Sequence, residues 1–293
     1  MIVGYLEFKE ILNKKLFENG FSDLLCKIAE NPDRYIGLFR PTRAKTKLIQ
    51  NITQSHEIKF GDALEVLIER YFEKMGFTIL PKVIQSIYGD IFHIDQLFRN
   101  QKTVYLIEQK VRDDHDSTKK KGQFNNFEEK YEVISRLYPD CIVIPIMWFI
   151  DPSLRKNHRY YAGEMEKMAK DYGCSPQLCY GDELFAEAGG IEAFPLSIYQ
   201  EILDYLKIWK EELPEMPEIN LDLDYKRSFE EIKAIKSSVY RKLLNNEEII
   251  NQIFPIIFPE KKVLRLLIQY FQNQDSVIER TIAQKINQAC LMY

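Results

Sequence analysis

Apolar side chains recur every three or four positions from residue 60 to residue 75, which predicts an amphipathic helix that ends at Gly76. Residues 1–55 are predicted to form helices with a loop. Beyond Gly76 the pattern changes to short runs rich in β-branched and aromatic residues, separated by further helical patterns. The predicted strands cover residues 77–80, 91–98, 103–111, 141–150 and 177–180. The predicted helices cover residues 127–137, 160–172 and 198–209, with another beginning near Asp182 and several more over 229–292.

Strands that alternate with helices predict an α/β fold with a mixed sheet. Residues 91–98 and 103–111 are separated by a polar turn of hairpin length, so these two strands are expected to pair. Residues 141–150 form an almost continuous apolar run, which is typical of a central strand covered on both faces. We predict a core over residues 1–208, including an N-terminal helical segment, and a helical C-terminal region over residues 209–293.

Composition narrows the class of protein. The 293 residues are 45% hydrophobic and 29% charged, which is the profile of a folded protein. Five scattered cysteines favour reduced thiols in a cytoplasm over a disulfide framework, and Cys174 and Cys179 lack a second ligand pair at zinc spacing. The first ten residues do not resemble a signal peptide, and no apolar run approaches the ~20 residues that cross a bilayer. We therefore expect a cytoplasmic protein without a membrane partner.

Net charge is −4, yet basic residues cluster in two stretches of the chain, at residues 40–47 and 99–121. The acidic excess lies elsewhere, notably at residues 211–224. The distribution of charge matters more for binding a polyanion than the sum does. Two interpretations stay open for each cluster: a basic surface for a polyanion, or an ordinary solvated surface.

A Glu-X-Lys pattern lies at the end of one predicted strand. Strand residues two apart share a face, so Glu108 and Lys110 point the same way. Asp95, amid apolar neighbours in the preceding strand, is costly to bury unless it is paired or binds a metal. Two carboxylates and a lysine suit hydrolysis of a phosphodiester, because carboxylates bind hard cations and a lysine orients water. The other Glu-X-Lys strings, such as Glu128/Lys130, lie in helical patterns or just before a helix, so their context does not favour a site.

The series of a helix with Glu65, a strand with Asp95 and then Glu108-Gln109-Lys110 resembles the PD-(D/E)XK nuclease superfamily over residues 60–190. The Pro that usually precedes the Asp is replaced here by Ile94. The resemblance implies a restriction-endonuclease-like mixed β-sheet flanked by helices, with additional N- and C-terminal helices. It also implies the catalytic residues, with Asp95 and Glu108 as metal ligands, Lys110 as catalytic lysine and Glu65 as auxiliary acid.

Each assignment has a structural alternative. Glu65 can be a solvated helix carboxylate, and Glu108 with Lys110 can be an ion pair at a strand end. Asp95 can be a structural acid, in which case Asp90 is the replacement ligand.

The segment after Lys110 is dense in groups that contact nucleic acids. The candidate DNA-binding residues are Arg40, Arg43, Arg112, Lys119, Lys120, Lys121 and Gln123. Residues 113–116 suggest either another metal site or, more simply, a capping loop. His158 has no nucleophile pattern beside it, so a surface or DNA-contacting role is favoured.

These observations and the resemblance together predict a type II restriction endonuclease that cuts double-stranded DNA at a short specific sequence with Mg²⁺. The resemblance also implies a homodimer, because a two-fold protein matches a palindromic site. Two alternatives remain. One is a DNA repair or junction-resolving nuclease of the same superfamily, and the other is a non-catalytic DNA-binding protein on a degenerate nuclease fold.

Overall fold

A computed structural model of the chain describes residues 2–86, 89–113, 117–185 and 197–293. Its backbone contacts divide it into two compact units. The first unit comprises residues 1–13 and 60–213, and the second comprises residues 14–59 and 214–293. The N-terminal helical segment, which the sequence interpretation kept with the core, is thus shared between the two units.

Thirteen helices and seven strands occur in the described residues. The strands are β1 (Thr78–Ile79), β2 (Val83–Gln85), β3 (Ile91–His93), β4 (Gln96–Asn100), β5 (Thr103–Lys110), β6 (Ile142–Phe149) and β7 (Gln177–Tyr180). The helices are α1 (Tyr5–Phe17), α2 (Gly20–Glu30), α3 (Asp33–Ile36), α4 (Ala44–Lys74), α5 (Ser117–Leu137), α6 (His158–Tyr172), α7 (Ser197–Glu211), α8 (Tyr225–Ile232), α9 (Ser237–Leu244), α10 (Glu247–Gln252), α11 (Phe254–Ile257), α12 (Lys262–Gln272) and α13 (Val277–Met292).

The first unit is built on a five-stranded mixed sheet with the strand order β1-β4-β5-β6-β7. Strands β1, β4 and β5 are antiparallel, whereas β5, β6 and β7 are parallel. The parallel pairs are connected through helices, since α5 lies between β5 and β6 in the chain and α6 lies between β6 and β7. The predicted mixed α/β fold with a sheet flanked by helices is confirmed.

The apolar run predicted as a central strand is β6, which lies between β5 and β7. Its side chains Met147 and Phe149 pack in one buried cluster with Leu106 of β5 and with Phe124 and Phe127 of α5. Burial on both faces explains why this strand lacks the apolar–polar alternation of a half-exposed one. One apolar core therefore joins the strands β5 and β6 to α5.

One predicted strand is wrong in detail. Residues 91–98 do not form a single strand, because the chain bends at Ile94 and Asp95. Residues 91–93 pair instead with β2, an unpredicted strand, in a separate two-stranded sheet. Only β4, after the bend, forms the hairpin with β5, which turns at Gln101 with a positive φ of 52°. The bend places Asp95 at the start of β4 instead of within a strand.

Several helix boundaries also differ from the prediction. The helix predicted over residues 60–75 is the last part of the longer α4, and the chain leaves it at Gly76 with a φ of 86°. Helix α5 begins at Ser117, ten residues before the predicted start. The helix expected near Asp182 is a 3₁₀ turn, Gly181–Phe185.

The described residues of the second unit contain helices only. Apolar side chains of α2, α9, α12 and α13 form its core, with Leu25, Leu243, Leu267 and Ile286 among the buried members. No helix in the described part of the chain is long and apolar enough to span a membrane.

Candidate active site

Asp95 lies at the bend directly before β4, and its carboxylate oxygen Oδ2 accepts a hydrogen bond from the backbone N–H of Gln109 at 2.8 Å. The antiparallel register pairs Gln96 with Ile107, so the residue before Gln96 faces the end of β5. The hairpin thus brings Asp95 beside the Glu-X-Lys segment. The negative charge of Glu108 is, after burial, the largest influence that raises the pKa of Asp95.

Glu108 is a buried carboxylate held by two lysines. Its Oε1 accepts a hydrogen bond from Lys110 Nζ at 2.6 Å, because positions 108 and 110 share one face of β5. Its Oε2 accepts a hydrogen bond from Lys130 Nζ at 2.7 Å. Burial acts to raise the pKa of Glu108, but the charges of Lys110 and Lys130 outweigh it, so the pKa is lowered. Glu108 is therefore held in its charged form.

Lys130 is the residue of this cluster that sequence reasoning missed. It belongs to the Glu128/Lys130 string that was set aside because it lies in a helical pattern. The sequence feature that could have identified Lys130 is its position on α5, three residues after Phe127 and four before Ile134. Both of these apolar residues are fully buried. A lysine on the apolar face of a helix requires a buried partner. Lys130 itself is only 5% exposed, and Glu108 is that partner.

Lys110 closes the cluster at the end of β5. Burial acts to lower its pKa, but the neighbouring carboxylates of Glu108 and Asp95 raise it overall, and Glu65 contributes in the same direction. The ammonium is thus fully charged at neutral pH. The half-buried carboxylate of Asp95 and the buried carboxylate of Glu108 are matched in charge by two lysines, Lys110 and Lys130.

Glu65 projects from α4 toward this cluster. Burial, and next the charge of Asp95, raise its pKa from the usual value to about 7, although Lys82 Nζ lies 3.6 Å from its Oε2. The buried side chain of Gln96 ties α4 to β4, because its Nε2 donates a hydrogen bond to the backbone oxygen of Glu65 at 2.7 Å. The structure therefore brings together all four predicted catalytic residues, and it adds Lys130 and Lys82 to them.

The oxygen donors of this cluster suit a hard divalent cation. No group of three or more His, Cys, Asp or Glu side chains arranged to hold a metal is found among the described residues. Mg²⁺ keeps several of its waters, however, and one or two carboxylates suffice to bind it. Asp95 and Glu108 provide that number, and their mutual repulsion at the buried site would be relieved by a cation. The residues present therefore fit such an ion.

The other acidic candidates, Asp90 and Asp113, form hydrogen bonds with residues that do not belong to this cluster. Asp90 is exposed, and its Oδ2 accepts a hydrogen bond from Ser86 Oγ at 3.3 Å. Asp113 is buried and accepts hydrogen bonds from the backbone N–H and the Nδ2 of Asn157, at 2.8 and 2.7 Å. Asp113 therefore holds Asn157, the residue directly before α6. Residues 114–116, the rest of the suggested metal site or capping loop, lie outside the described residues.

Five of the predicted DNA-binding residues follow β5. Arg112 lies two residues after the end of the strand, and Lys119, Lys120, Lys121 and Gln123 occupy the first two turns of α5. Gln123 is therefore inside the helix and not at its first residue, and its Oε1 accepts a hydrogen bond from the Tyr161 hydroxyl at 3.4 Å.

The contacts of the remaining candidates differ. Lys120 is half-buried, and its Nζ donates a hydrogen bond to Asn157 Oδ1 at 3.2 Å, whereas Lys119 and Lys121 are exposed. His158 is exposed, and its Nδ1 lies 3.2 Å from the Tyr180 hydroxyl. Arg40 and Arg43 belong to the second unit, where both are exposed.

Comparison with known proteins gives one match. Residues 77–210 match the sequence model of the family described as type II restriction endonuclease, HinfI. This range contains Asp95, Glu108, Lys110 and Lys130, whereas Glu65 precedes it. No curated protein and no solved structure matches the chain.

The matched family acts in restriction–modification as nucleases that hydrolyse DNA, and enzymes of this kind generally use a divalent metal ion. Such an activity implies that the protein binds DNA. Residues 77–210 are thus similar to the HinfI-type restriction endonucleases, which is consistent with the PD-(D/E)XK resemblance of the sequence.

Proposed function

We propose that this protein is a type II restriction endonuclease that hydrolyses phosphodiester bonds of double-stranded DNA at a short specific sequence, with Mg²⁺ as its metal ion. The observation that carries the proposal is the cluster of half-buried Asp95, buried Glu108 and half-buried Lys110 at the end of β5, within the segment that matches the family. A degenerate nuclease fold that only binds DNA would be expected to have lost at least one of the three.

In this proposal Asp95 and Glu108 hold the ion. When bound, Mg²⁺ supplies charge neutralisation for the phosphate and activation of a water molecule. Lys110 offsets the charge that develops on the phosphate and orients the attacking water, since its ammonium is fully charged beside Glu108. Glu65 is an auxiliary carboxylate, close enough to Asp95 for the charge of Asp95 to raise its pKa.

Lys130 is a positioning residue in the same proposal. It binds Glu108 Oε2, the oxygen that Lys110 leaves free, and so restricts the carboxylate to one orientation. The side chain of Lys130 is almost completely buried, so it does not reach solvent. Lys130 therefore acts on the reaction through Glu108.

We also propose that the active form is a cytoplasmic homodimer that cuts a palindromic site, because two copies related by a two-fold axis present the same surface to each strand. Four basic residues and one amide of the segment after β5 contact the DNA in this proposal: Arg112, Lys119, Lys120, Lys121 and Gln123. Arg40 and Arg43 of the second unit do so as well.

The experiment is a digest of mixed-sequence DNA with purified protein in Mg²⁺, followed by sequencing of the ends. Discrete fragments with one shared end sequence support a type II enzyme. Nicking confined to junctions or mismatches would instead show that the protein is a repair or junction-resolving nuclease. Binding without cleavage in Mg²⁺ or Mn²⁺ would leave only a DNA-binding protein. The matched control is Glu108→Gln, which removes one metal ligand at constant size.

A further inference from the structure

Two adjacent large apolar side chains, Leu38 and Phe39, stand almost completely in solvent. Leu38 is 92% exposed and Phe39 is 97% exposed, the highest values among the large apolar residues of the described chain. They occupy the centre of a turn in which the backbone N–H of Arg40 donates to the carbonyl oxygen of Gly37 at 3.1 Å. Single exposed apolar residues are ordinary, but a pair at a loop tip indicates a binding surface.

The turn is held by the second unit on both sides. Tyr35 of α3 precedes it and Ala44 and Leu48 of α4 follow it, and all three are buried in the apolar core of that unit. Gly37 fits closely, because a Cβ at this position would lie 2.4 Å from the backbone oxygen of Asp33. The exposed pair is therefore presented on a fixed turn and not on a loose tail.

The surroundings of the turn are strongly basic. Residues 34–47 contain five cations and no acidic residue, although the whole chain has a net charge of −4. The cations are Arg34, Arg40, Arg43, Lys45 and Lys47. Within the described part of the chain, none of them forms an ion pair.

A pocket of about 420 Å³ lies beside the turn, lined by Tyr35, Thr42, Arg43 and Lys45 among others. The buried hydroxyl of Tyr35 has no hydrogen-bond partner among the described residues. A pocket with two cations on its wall, Arg43 and Lys45, is suited to an anionic oxygen group, such as a phosphate of a nucleic acid backbone.

We propose that the turn at residues 37–40 is a wedge that inserts Leu38 and Phe39 between bases of duplex DNA, while the flanking cations bind the adjacent phosphates. This inference rests on the proposed function, which makes duplex DNA the substrate. Apolar wedges combined with cations are the means by which proteins unstack and bend a duplex. A second copy of the chain is a poorer occupant, because it would bring two segments of five positive charges together.

The test uses the full chain with Leu38→Ala/Phe39→Ala, and Phe39→Ser as a second variant. The control is Val277→Ala/Leu291→Ala, which removes two other exposed apolar side chains of the same unit, 77% and 83% exposed. Thermal melts should match the wild type for all three, since none of these side chains is buried. Binding is measured in Ca²⁺ with a duplex that carries 2-aminopurine within the cleaved sequence, or with a mixed-sequence duplex if none is cleaved.

Wild type and control are expected to increase 2-aminopurine fluorescence, because insertion unstacks the base. The wedge variants should lose this increase and bind at least tenfold more weakly, with the dependence of affinity on salt unchanged. Arg40→Ala/Arg43→Ala should show the complementary result, a flatter salt dependence by up to about 0.9 per lost contact.

Wedge variants that bind with the same affinity and fluorescence as wild type would overturn the wedge and leave the proposed nuclease intact. Conversion of a dimer to a monomer by these variants, seen in sedimentation, would assign the turn to a subunit contact instead and overturn it as well. Wild-type protein that binds no duplex overturns it too. Binding with the fluorescence increase but no cleavage supports the wedge and refutes the nuclease.

Discussion

Glu108 Oε2 accepts a hydrogen bond from Lys130 Nζ at 2.7 Å, although the two residues lie on different elements and are 22 positions apart. The pair joins the end of β5 to α5 and leaves Lys110 to bind the other carboxylate oxygen. A buried carboxylate with both oxygens occupied by lysines is held in one orientation and remains charged. The proposed metal ligand is therefore arranged before any ion arrives.

Lys130→Met tests whether this second lysine serves the site or only the fold. Removing one partner of a buried ion pair usually destabilises a protein by about 3–5 kcal/mol, but Glu108 retains Lys110, so we expect a smaller loss. Without the nearby positive charge, Ca²⁺ should bind more tightly, by several-fold. Single-turnover cleavage should nevertheless slow, since Glu108 loses its fixed orientation.

The measurement combines a Ca²⁺ titration, a thermal melt and single-turnover cleavage. Lys167→Met is the control, because Lys167 forms an exposed ion pair with Glu164 on α6. A lower melting temperature with unchanged Ca²⁺ affinity and an unchanged rate would show that Lys130 is a structural residue only.

Divalent metal should stabilise the fold through Asp95. Without metal, the charge of the half-buried Asp95 lies close to that of Glu108, which is unfavourable. Wild-type protein should melt at a higher temperature in Mg²⁺ than in EDTA. A Mg²⁺ concentration 100-fold above its dissociation constant should raise the free energy of unfolding by about 2.7 kcal/mol. Asp95→Asn should be at least as stable as wild type in EDTA and gain little from Mg²⁺. An equal gain in both proteins would remove Asp95 from the metal site.

The parallel half of the sheet could be predicted from the sequence, because a strand that is buried on both faces is composed almost entirely of apolar residues. Strand β6 is apolar along its length because both faces are covered, and β7 was predicted with its observed bounds. The break between β3 and β4 could not be predicted, because both strands carry β-type residues. Only the pairing of Ile91–His93 with the unpredicted β2 reveals that the chain changes sheets before Asp95.

The candidate site, too, could be predicted from the sequence only in part. Glu108 and Lys110 share a face for local reasons, so a two-residue spacing was enough to group them. Lys130 joins them through tertiary structure, when α5 packs onto the sheet. The periodicity of α5 indicates an apolar face, but it does not indicate which carboxylate Lys130 contacts.

The lysines at the start of α5 should contribute to DNA binding through phosphate contacts. Replacing Lys119 and Lys121, both exposed, by Ala should weaken binding to all duplexes alike. The slope of log K against log salt should become shallower by up to about 0.9 per lost contact. Replacing Lys207 and Lys210 of α7 by Ala is a control that removes the same charge elsewhere in the unit. Equal slopes for the two double variants would make the α5 lysines ordinary solvated residues.

Lys110→Ala should separate binding from chemistry. Because Lys110 is proposed to act on the phosphate, the variant should bind cleavable DNA in Ca²⁺ as tightly as wild type. Its cleavage in Mg²⁺ should be slower by roughly 10²–10⁴-fold. Lys110→Arg should also fail, because a planar guanidinium does not replace a compact ammonium. A variant that melts much lower but keeps a near-normal rate per folded molecule would make Lys110 a structural partner of Glu108.

The central claim is that Asp95 and Glu108 form the metal-dependent cutting site, and one measurement tests it most directly. Single-turnover cleavage of DNA in Mg²⁺ is compared for wild type, Asp95→Ala, Glu108→Ala and the control Glu260→Ala, which removes an exposed carboxylate paired with Lys262. We expect wild type and control to cleave at one specific sequence, and both site variants to bind the same DNA in Ca²⁺ without cutting it. Cleavage by either folded site variant at the wild-type rate would contradict the claim.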